Sequence, residues 1–206
     1  MLDRLIRNRS AASAAEFALV LPLLLLLLFG IIDVGRFLWA FNQAEKATQM
    51  GTRYAVVTAP VLTGLDNSYS FAVDGGISQG TAIPTANFTS AACSKSNGSV
   101  QCSCVAPTGS FCAATSTNSN AFQAIFQRMK YMYPPIADTN VQVIYKNIGL
   151  GFAGNPDGSD VSPLVTVKLT GLTFHPITCF VFPCSIGMPD FSASLTAEDL
   201  SGSVSN

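Results

Sequence analysis

The sequence has little charge and almost no histidine. Only 11% of its 206 residues are charged, the formal net charge is −1, and His175 is the one histidine. A chain with this composition offers neither a basic face for nucleic acid nor an acidic tail. No Gly-rich phosphate loop opens a helix, and no Ser-His-Asp or Cys-His arrangement supports nucleophilic catalysis. We therefore expect no nucleic-acid partner, no enzymatic activity, no cofactor and no bound metal.

The chain does have one long apolar run near its beginning. Residues Phe17 to Ile32 include no charged side chain. A helix over this segment covers roughly 24 Å at about 1.5 Å per residue, and its neighbours extend it to the roughly 30 Å of a bilayer core. We therefore predict one membrane span over about residues 15–39, within a helix over residues 12–57 that ends before Pro60.

Charges at both ends of the apolar run suggest its orientation. Arg4, Arg7 and Arg9 precede the run, and the next basic residue is Arg36. The positive-inside rule then places the amino terminus in the cytoplasm and the remainder outside. A cleaved signal peptide is the alternative, but its apolar core is only about 7 to 15 residues long. Asp33 and Arg36, three residues apart, can pair on one helix face near the membrane edge.

A stripe of small residues follows the apolar run. Such a stripe lets another helix or a domain approach closely. Packing against the chain's own outer domain is favoured over packing against another subunit. The stripe consists of Ala40, Ala44, Ala47, Gly51 and Ala55.

The segment SAASAAEFALVLPLLLLLLFGIIDVGRF, residues 10–37, resembles the amino-terminal motif of TadE-like proteins, the pseudopilins of tight-adherence (Flp/Tad) pilus systems, which are related to type IV pili. The resemblance implies a basic cytoplasmic leader over residues 1–11 and a prepilin-peptidase cut between Ala11 and Ala12. The family usually has glycine before the cut, and this chain has Ala11. Glu16 then stands at the fifth mature position and is followed by the aromatic Phe17.

The same resemblance implies how the helix assembles. Cleavage would free the α-amine of Ala12, and Glu16 of a neighbouring subunit could neutralise it within a bundle of apolar helices. Pro22 lacks a backbone donor, which predicts a kink or a loosened turn. The implied partners are the membrane, other pilins or pseudopilins, the Tad inner-membrane assembly platform and the prepilin peptidase.

All six cysteines follow the membrane segment. An even number of cysteines in a loop-rich part predicted to lie outside the cell's reducing interior indicates disulfides. The local expectation is one bridge between the last two and two bridges among the first four, while a zinc site in the first cluster is the alternative. The cysteines are Cys93, Cys102, Cys104, Cys112, Cys179 and Cys184.

The chain beyond the helix, residues 58–206, is predicted to form an extracytoplasmic α+β domain. A second helix from Ser119, capped by Ser119 or Asn120, carries an apolar stripe from Phe122 to Met132. Alternating apolar residues indicate strands over 140–145, 164–172 and 191–195, whereas residues 58–120 resemble long loops with short strands. We therefore expect a pilin-like α+β fold, in which a long amino-terminal transmembrane helix precedes a small, mostly antiparallel sheet with a disulfide-rich loop region.

These features favour a minor pseudopilin or assembly component of a Flp/Tad-type pilus. It would be a single-pass protein of the bacterial inner membrane, with its carboxy-terminal domain in the periplasm or outside the cell and a helix that could be incorporated into the pilus. The alternative is a membrane-tethered extracytoplasmic binding or structural protein that does not enter a pilus. Such a tether requires neither the cut between Ala11 and Ala12 nor Glu16.

Overall fold

The computed structural model describes residues 9–66, 76–105, 116–155, 159–180, 184–197 and 200. Its first element is the helix α1, Arg9–Ala55, which passes through Pro22 without interruption. The chain divides into two compact units. The helix–hairpin unit comprises Met1–Phe41 and Thr173–Gly187, and the sheet unit comprises Asn42–Leu172 and Met188–Asn206.

A five-stranded antiparallel sheet forms the centre of the sheet unit. Its strands are ordered β2-β1-β3-β4-β7, and every neighbouring pair is antiparallel. The strands are β1 (Ser90–Ser96), β2 (Ser99–Val105), β3 (Val141–Lys146), β4 (Leu164–Leu169) and β7 (Phe191–Thr196). Together with α1, this sheet confirms the predicted α+β class with a long amino-terminal helix and a mostly antiparallel sheet.

One face of the sheet is apolar and buried. Alternation of side chains along a strand puts every second residue on the same face. In β3 the buried residues are Val141, Val143 and Tyr145, and in β4 they are Val165, Val167 and Leu169. The alternation predicted from sequence for these two strands is therefore confirmed.

The second helix, α2 (Ser119–Met132), adds the other apolar layer of the sheet unit. It buries Phe122, Ile125, Phe126 and Met129 at the predicted helical spacing. Its cap is Asn118, whose side chain accepts a hydrogen bond from the Ala121 N–H at 3.1 Å, so the predicted caps, Ser119 or Asn120, were wrong by one or two positions. An N-cap lies outside the helical backbone, and the apolar stripe alone does not locate it.

The last part of α1 packs within the sheet unit through its small residues. Ala44, Ala47, Gly51 and Ala55 are buried, and a Cβ on Gly51 would lie 2.6 Å from Cγ of Met129. The buried Thr52 hydroxyl is close to two carbonyl oxygens, those of Thr48 at 2.9 Å and Ala193 at 3.1 Å. This part of the stripe therefore packs on the chain's own domain, as favoured from the sequence.

The hairpin β1–β2 lies in the region predicted as loops with short strands. Ser96 pairs with Ser99, so Asn97 and Gly98 form a two-residue turn, and both have positive φ values of 50° and 82°. Asn-Gly is the preferred pair for such turns because both central residues must adopt this conformation. Cys93 and Cys102 lie opposite each other in the hairpin and are joined by a disulfide.

Candidate membrane anchor and assembly site

The first part of α1 is apolar on its whole circumference and largely exposed. Because a helix of a water-soluble protein has a polar face towards solvent, exposure of this kind is typical of a segment that contacts lipid or other apolar helices. Within the described part of the chain, α1 is the helix that is both long enough and apolar enough to cross a membrane. Its exposed apolar residues include Phe17, Leu19, Val20, Leu23, Leu27, Ile31, Val34 and Leu38.

The residues predicted for processing and assembly lie in the first turns of α1. The backbone at Ala11 and Ala12 is helical. Glu16 and Phe17 are exposed, and the side chain of Glu16 makes no hydrogen bond or ion pair with any residue that the structure describes. Pro22 is also exposed within the continuous helix. These residues share one helix, and no second element of the described chain packs against Glu16.

Asp33 is a different kind of acid, because its carboxylate is buried and receives several donors. Only 6% of the residue is exposed. Oδ1 accepts the Ile177 N–H at 2.7 Å, and Oδ2 accepts the Thr178 N–H at 2.8 Å and the Thr178 hydroxyl at 2.9 Å. Hydrogen bonds from backbone N–H groups stabilise the charged form of a carboxylate.

These donors belong to the clamp hairpin (Thr173–Gly187), which contains the short strands β5 (Thr173–Phe174) and β6 (Ile186–Gly187). Between these two strands lies a 3-10 turn, Ile177–Phe180. A disulfide joins Cys179, within this turn, to Cys184. The first N–H groups of any such turn have no partner inside it. Asp33 therefore caps this turn from another element of the chain.

Two contacts of Phe174 and one ion pair complete the attachment of the clamp hairpin to α1. The Phe174 ring packs edge-on against Phe37 with ring centroids 5.4 Å apart. The Arg36 guanidinium lies over the same ring at 5.3 Å and also donates to Oδ1 of Asp33 at 2.9 Å. The predicted Asp33–Arg36 pair is present, and it is one part of a larger network.

Sequence reasoning missed the main partners of Asp33, which lie 144 and 145 residues further along the chain. A contact at that separation has no local pattern. The one signal was Asp33 itself, since an acid at the border of an apolar run requires donors nearby.

The cysteines of the described chain are occupied by disulfides. Cys93 is bonded to Cys102, Cys179 is bonded to Cys184, and Cys104 is also disulfide-bonded, while Cys112 lies outside the described residues. The described residues contain no group of three or more His, Cys, Asp or Glu side chains arranged to hold a metal ion. The zinc alternative therefore loses the free thiolates it required.

Asp160 is a second buried acid, in the sheet unit. Its Oδ1 accepts the N–H groups of Gly154 at 2.9 Å and Asn155 at 3.2 Å, whereas Oδ2 is buried without a partner among the described residues. The carboxylate orders the glycine-rich loop between β3 and β4.

Comparison with known proteins gives a match for the amino-terminal helix. Residues 11–53 match the family model described as TadE-like protein, which confirms the resemblance found in the amino-terminal motif. No curated protein and no solved structure matches the chain. The match lies within α1 and ends before β1, so it includes none of the strands. It indicates a protein associated with the Tad pilus machinery, and TadE-like pilus proteins are structural.

Proposed function

We propose that this chain, whose helix α1 matches TadE-like proteins, is a minor pseudopilin or assembly component of a Flp/Tad-type pilus. Its helix anchors it in the bacterial inner membrane with the amino terminus in the cytoplasm and residues 58–206 in the periplasm. Arg4, Arg7 and Arg9 support this orientation because basic residues are retained on the cytoplasmic side.

The observation that carries the proposal is a coincidence of two features on one segment. Residues 11–53 are the part of the chain that matches the family. The same segment contains the helix whose large apolar side chains are exposed, from Phe17 to Leu38. A surface of this kind must be covered by lipid or by neighbouring apolar helices, and a pilus subunit uses both in turn.

Glu16 is proposed to set the register between neighbouring helices. Its side chain is exposed at the start of the apolar surface and has no partner among the described residues. Burial of an unpaired carboxylate among apolar helices is strongly unfavourable, whereas burial opposite the α-amine of Ala12 is compensated. The attraction fixes one alignment of two surfaces that apolar packing alone would leave free to slide.

Processing is the experiment that tests this proposal. The full chain is expressed in a host with the matching prepilin peptidase and in a host that lacks it, and intact mass and amino-terminal sequencing follow. We expect a mature chain that begins at Ala12 only when the peptidase is present. Ala11→Gly should be cut at least as completely, and Ala11→Leu should block the cut because a large side chain replaces a small one.

Glu16→Gln separates processing from assembly. We expect the Glu16→Gln chain to insert into the membrane normally but to be absent from sheared pilus fractions, since the amide cannot neutralise an α-amine. Asp3→Asn, which changes an acid in the leader, is the matched control and should assemble as the natural chain does. Equal recovery of Glu16→Gln and the natural chain would contradict the role of Glu16.

The alternative is a membrane-tethered extracytoplasmic protein that remains outside the pilus. The buried Asp33 network is compatible with this alternative, because a static membrane anchor could also use a firm attachment between α1 and the clamp hairpin. A chain that begins at Met1 in both hosts would support the tether. A start well beyond Phe29 would instead indicate a cleaved signal peptide.

A further inference from the structure

The clamp hairpin places additional apolar side chains beside the apolar part of α1. Ile177 is 44% exposed and Ile186 is 46% exposed. Ile177 is also one of the residues whose N–H binds Asp33, so its position along α1 is defined. Near Asp33 the helix itself exposes Ile31, Ile32 and Val34. Ile177 therefore lies at the level of Asp33, and Ile186, which pairs with Phe174 in the hairpin, lies near the level of Phe37, one helical turn further along.

The backbone of the clamp hairpin prevents this level of α1 from entering the hydrocarbon of a bilayer. Non-helical backbone exposed to lipid leaves N–H and carbonyl groups without partners, and such segments are excluded from the bilayer core. The same hairpin neutralises the cost of Asp33, whose carboxylate binds donors of Ile177 and Thr178 and pairs with Arg36. A residue with this network is suited to the headgroup layer, where polar groups and apolar surface are both solvated.

The length of the helix before Asp33 agrees with this placement. Residues Ser13 to Ile32 are about 20 residues, which cover roughly 30 Å of helix, the thickness of the hydrocarbon core. If Asp33 lies at one boundary, Ser13 lies at the other. Trp39, further along α1, then falls beyond the hydrocarbon.

We propose that the clamp hairpin is a lipid-contacting element of the outer headgroup layer that fixes the depth of α1 in the bilayer. Ile177 and Ile186 contact lipid, Asp33 holds the hairpin to the helix, and residues 13–32 fill the hydrocarbon. The inference rests on the membrane insertion in the proposed function and is independent of whether the chain enters a pilus. The partner is the phospholipid bilayer itself, because the exposed side chains continue the apolar surface of the inserted helix.

Single tryptophan probes test the lipid contact. Trp39→Phe removes the one natural tryptophan, and Ile177→Trp or Ile186→Trp is then introduced into that full-length background. The matched control is Tyr131→Trp, at a residue of the sheet unit that is 84% exposed. A second control, Leu25→Trp, lies in the middle of the apolar run. Each protein is reconstituted into phosphatidylcholine vesicles with or without brominated acyl chains, and iodide serves as the aqueous quencher.

We expect brominated lipid to quench Ile177→Trp and Ile186→Trp several-fold more than Tyr131→Trp, and iodide to show the reverse order. Iodide quenching of the two hairpin probes equal to that of Tyr131→Trp would overturn the inference. Protection from both quenchers would also overturn it, because a protein surface would then cover the hairpin. If Leu25→Trp is not quenched by brominated lipid, membrane insertion fails and the proposed function fails with it.

The depth-setting role has its own measurement on the natural Trp39. Asp33→Ala removes the acceptor of three hydrogen bonds from the clamp hairpin and one from Arg36, and Cys179→Ser with Cys184→Ser removes the disulfide of the hairpin. Both changes should increase quenching of Trp39 by bromines placed deep in the acyl chains, because the helix can then slide inward. Thr166→Ala, on the sheet, is the control and should leave it unchanged. Unchanged quenching in both hairpin variants would show that the hairpin does not set the depth.

Discussion

The two ends of the helix α1 are built for different surroundings. From Phe17 to Ile32 the large apolar side chains are exposed on all sides of the helix, before the clamp hairpin covers one side at Asp33 and Phe37. From Ala44 to Ala55 the smallest side chains are buried, and the exposed positions are polar, including Glu45 and Lys46. The first pattern has no polar face for water, whereas the second has one face for a protein core and one for water.

Side-chain size explains how the second pattern packs. Small residues let the helix backbone approach its neighbours closely, so that Met129 of α2 occupies the space above Gly51. At Gly30 and Gly35, apart from the helix's own backbone and the adjacent residues, no atom of the described chain lies within 4 Å of the position where a Cβ would stand. Close packing therefore requires glycine at position 51, whereas the surrounding chain leaves room for a larger side chain at positions 30 and 35.

A buried charge should produce the largest difference between the two ends. Ala47 is completely buried, so Ala47→Asp places an unpaired carboxylate in the core and should lower the free energy of unfolding of the sheet unit by about 3 to 5 kcal/mol. Val20→Asp, at an exposed position, is the matched change and should leave that free energy unchanged while it impairs membrane insertion. Thermal unfolding in detergent, followed by near-ultraviolet circular dichroism, measures the stability of both variants. Equal destabilisation would contradict the comparison.

A steric change should give a smaller difference. Gly51→Leu must displace the Met129 side chain, which is already within 2.7 Å of the ideal Cβ position at both Cγ and Sδ. We expect a loss of about 2 to 3 kcal/mol from overpacking. Gly35→Leu should cost nothing in the sheet unit and serves as the control. If Gly51→Leu with Met129→Ala recovers part of the loss, the clash between these two side chains is its cause.

The smallest expected effect is a dependence of stability on pH. It sharpens the comparison because it arises only in the core of the sheet unit, on which the second end of α1 packs. Burial raises the pKa of Tyr145 strongly, and its hydroxyl oxygen accepts the Val61 N–H at 2.9 Å. Because the folded pKa lies above the unfolded value of about 10, this group's stabilisation is fully present below pH 10 and is lost as the pH rises towards the folded pKa. Each pH unit in that window should remove up to about 1.4 kcal/mol.

Chemical denaturation of the sheet unit at a series of alkaline pH values measures this slope. Tyr145→Phe should reduce the slope and cost about 1 kcal/mol at neutral pH, since the Val61 N–H loses its acceptor. Part of the slope should remain, because burial also raises the pKa of Tyr133. Tyr131→Phe, at an exposed position, should retain the full slope. A natural chain whose stability is independent of alkaline pH would contradict the assignment.

Periodicity in the sequence was sufficient for most of the regular structure. The apolar run predicted α1, the stripe from Phe122 predicted α2, and alternation predicted β3, β4 and β7, because each pattern repeats over several residues of one element. The hairpin β1–β2 was not predicted as a pair, since its strands are rich in Ser, Ala and Cys and weakly apolar. Asn97-Gly98 was a usable signal for its turn.

The Asp33 network could not be predicted, for a different reason. Three of its hydrogen bonds come from Ile177 and Thr178, and nothing in either local sequence identifies the other. The spacing of Cys179 and Cys184 suggested a local bridge, and the structure has that bridge. The sequence could not show that the loop it closes lies against α1. The acidic residue near the end of the apolar run indicated that hydrogen-bond donors were required there, but it did not indicate which residues donate.

The separation of 144 residues between Asp33 and Ile177 also imposes an order in time. At about 5 to 20 residues per second, ribosomes add the intervening chain in roughly 7 to 30 s. Synthesis of α1 is complete early in that interval, while the donors of Asp33 have not yet been synthesised. The clamp hairpin follows β4 in the chain, so it can close only on a polypeptide already synthesised through four strands of the sheet. A chain that terminates early leaves the carboxylate uncapped, and the attachment of hairpin to helix is thus a mark of completed synthesis.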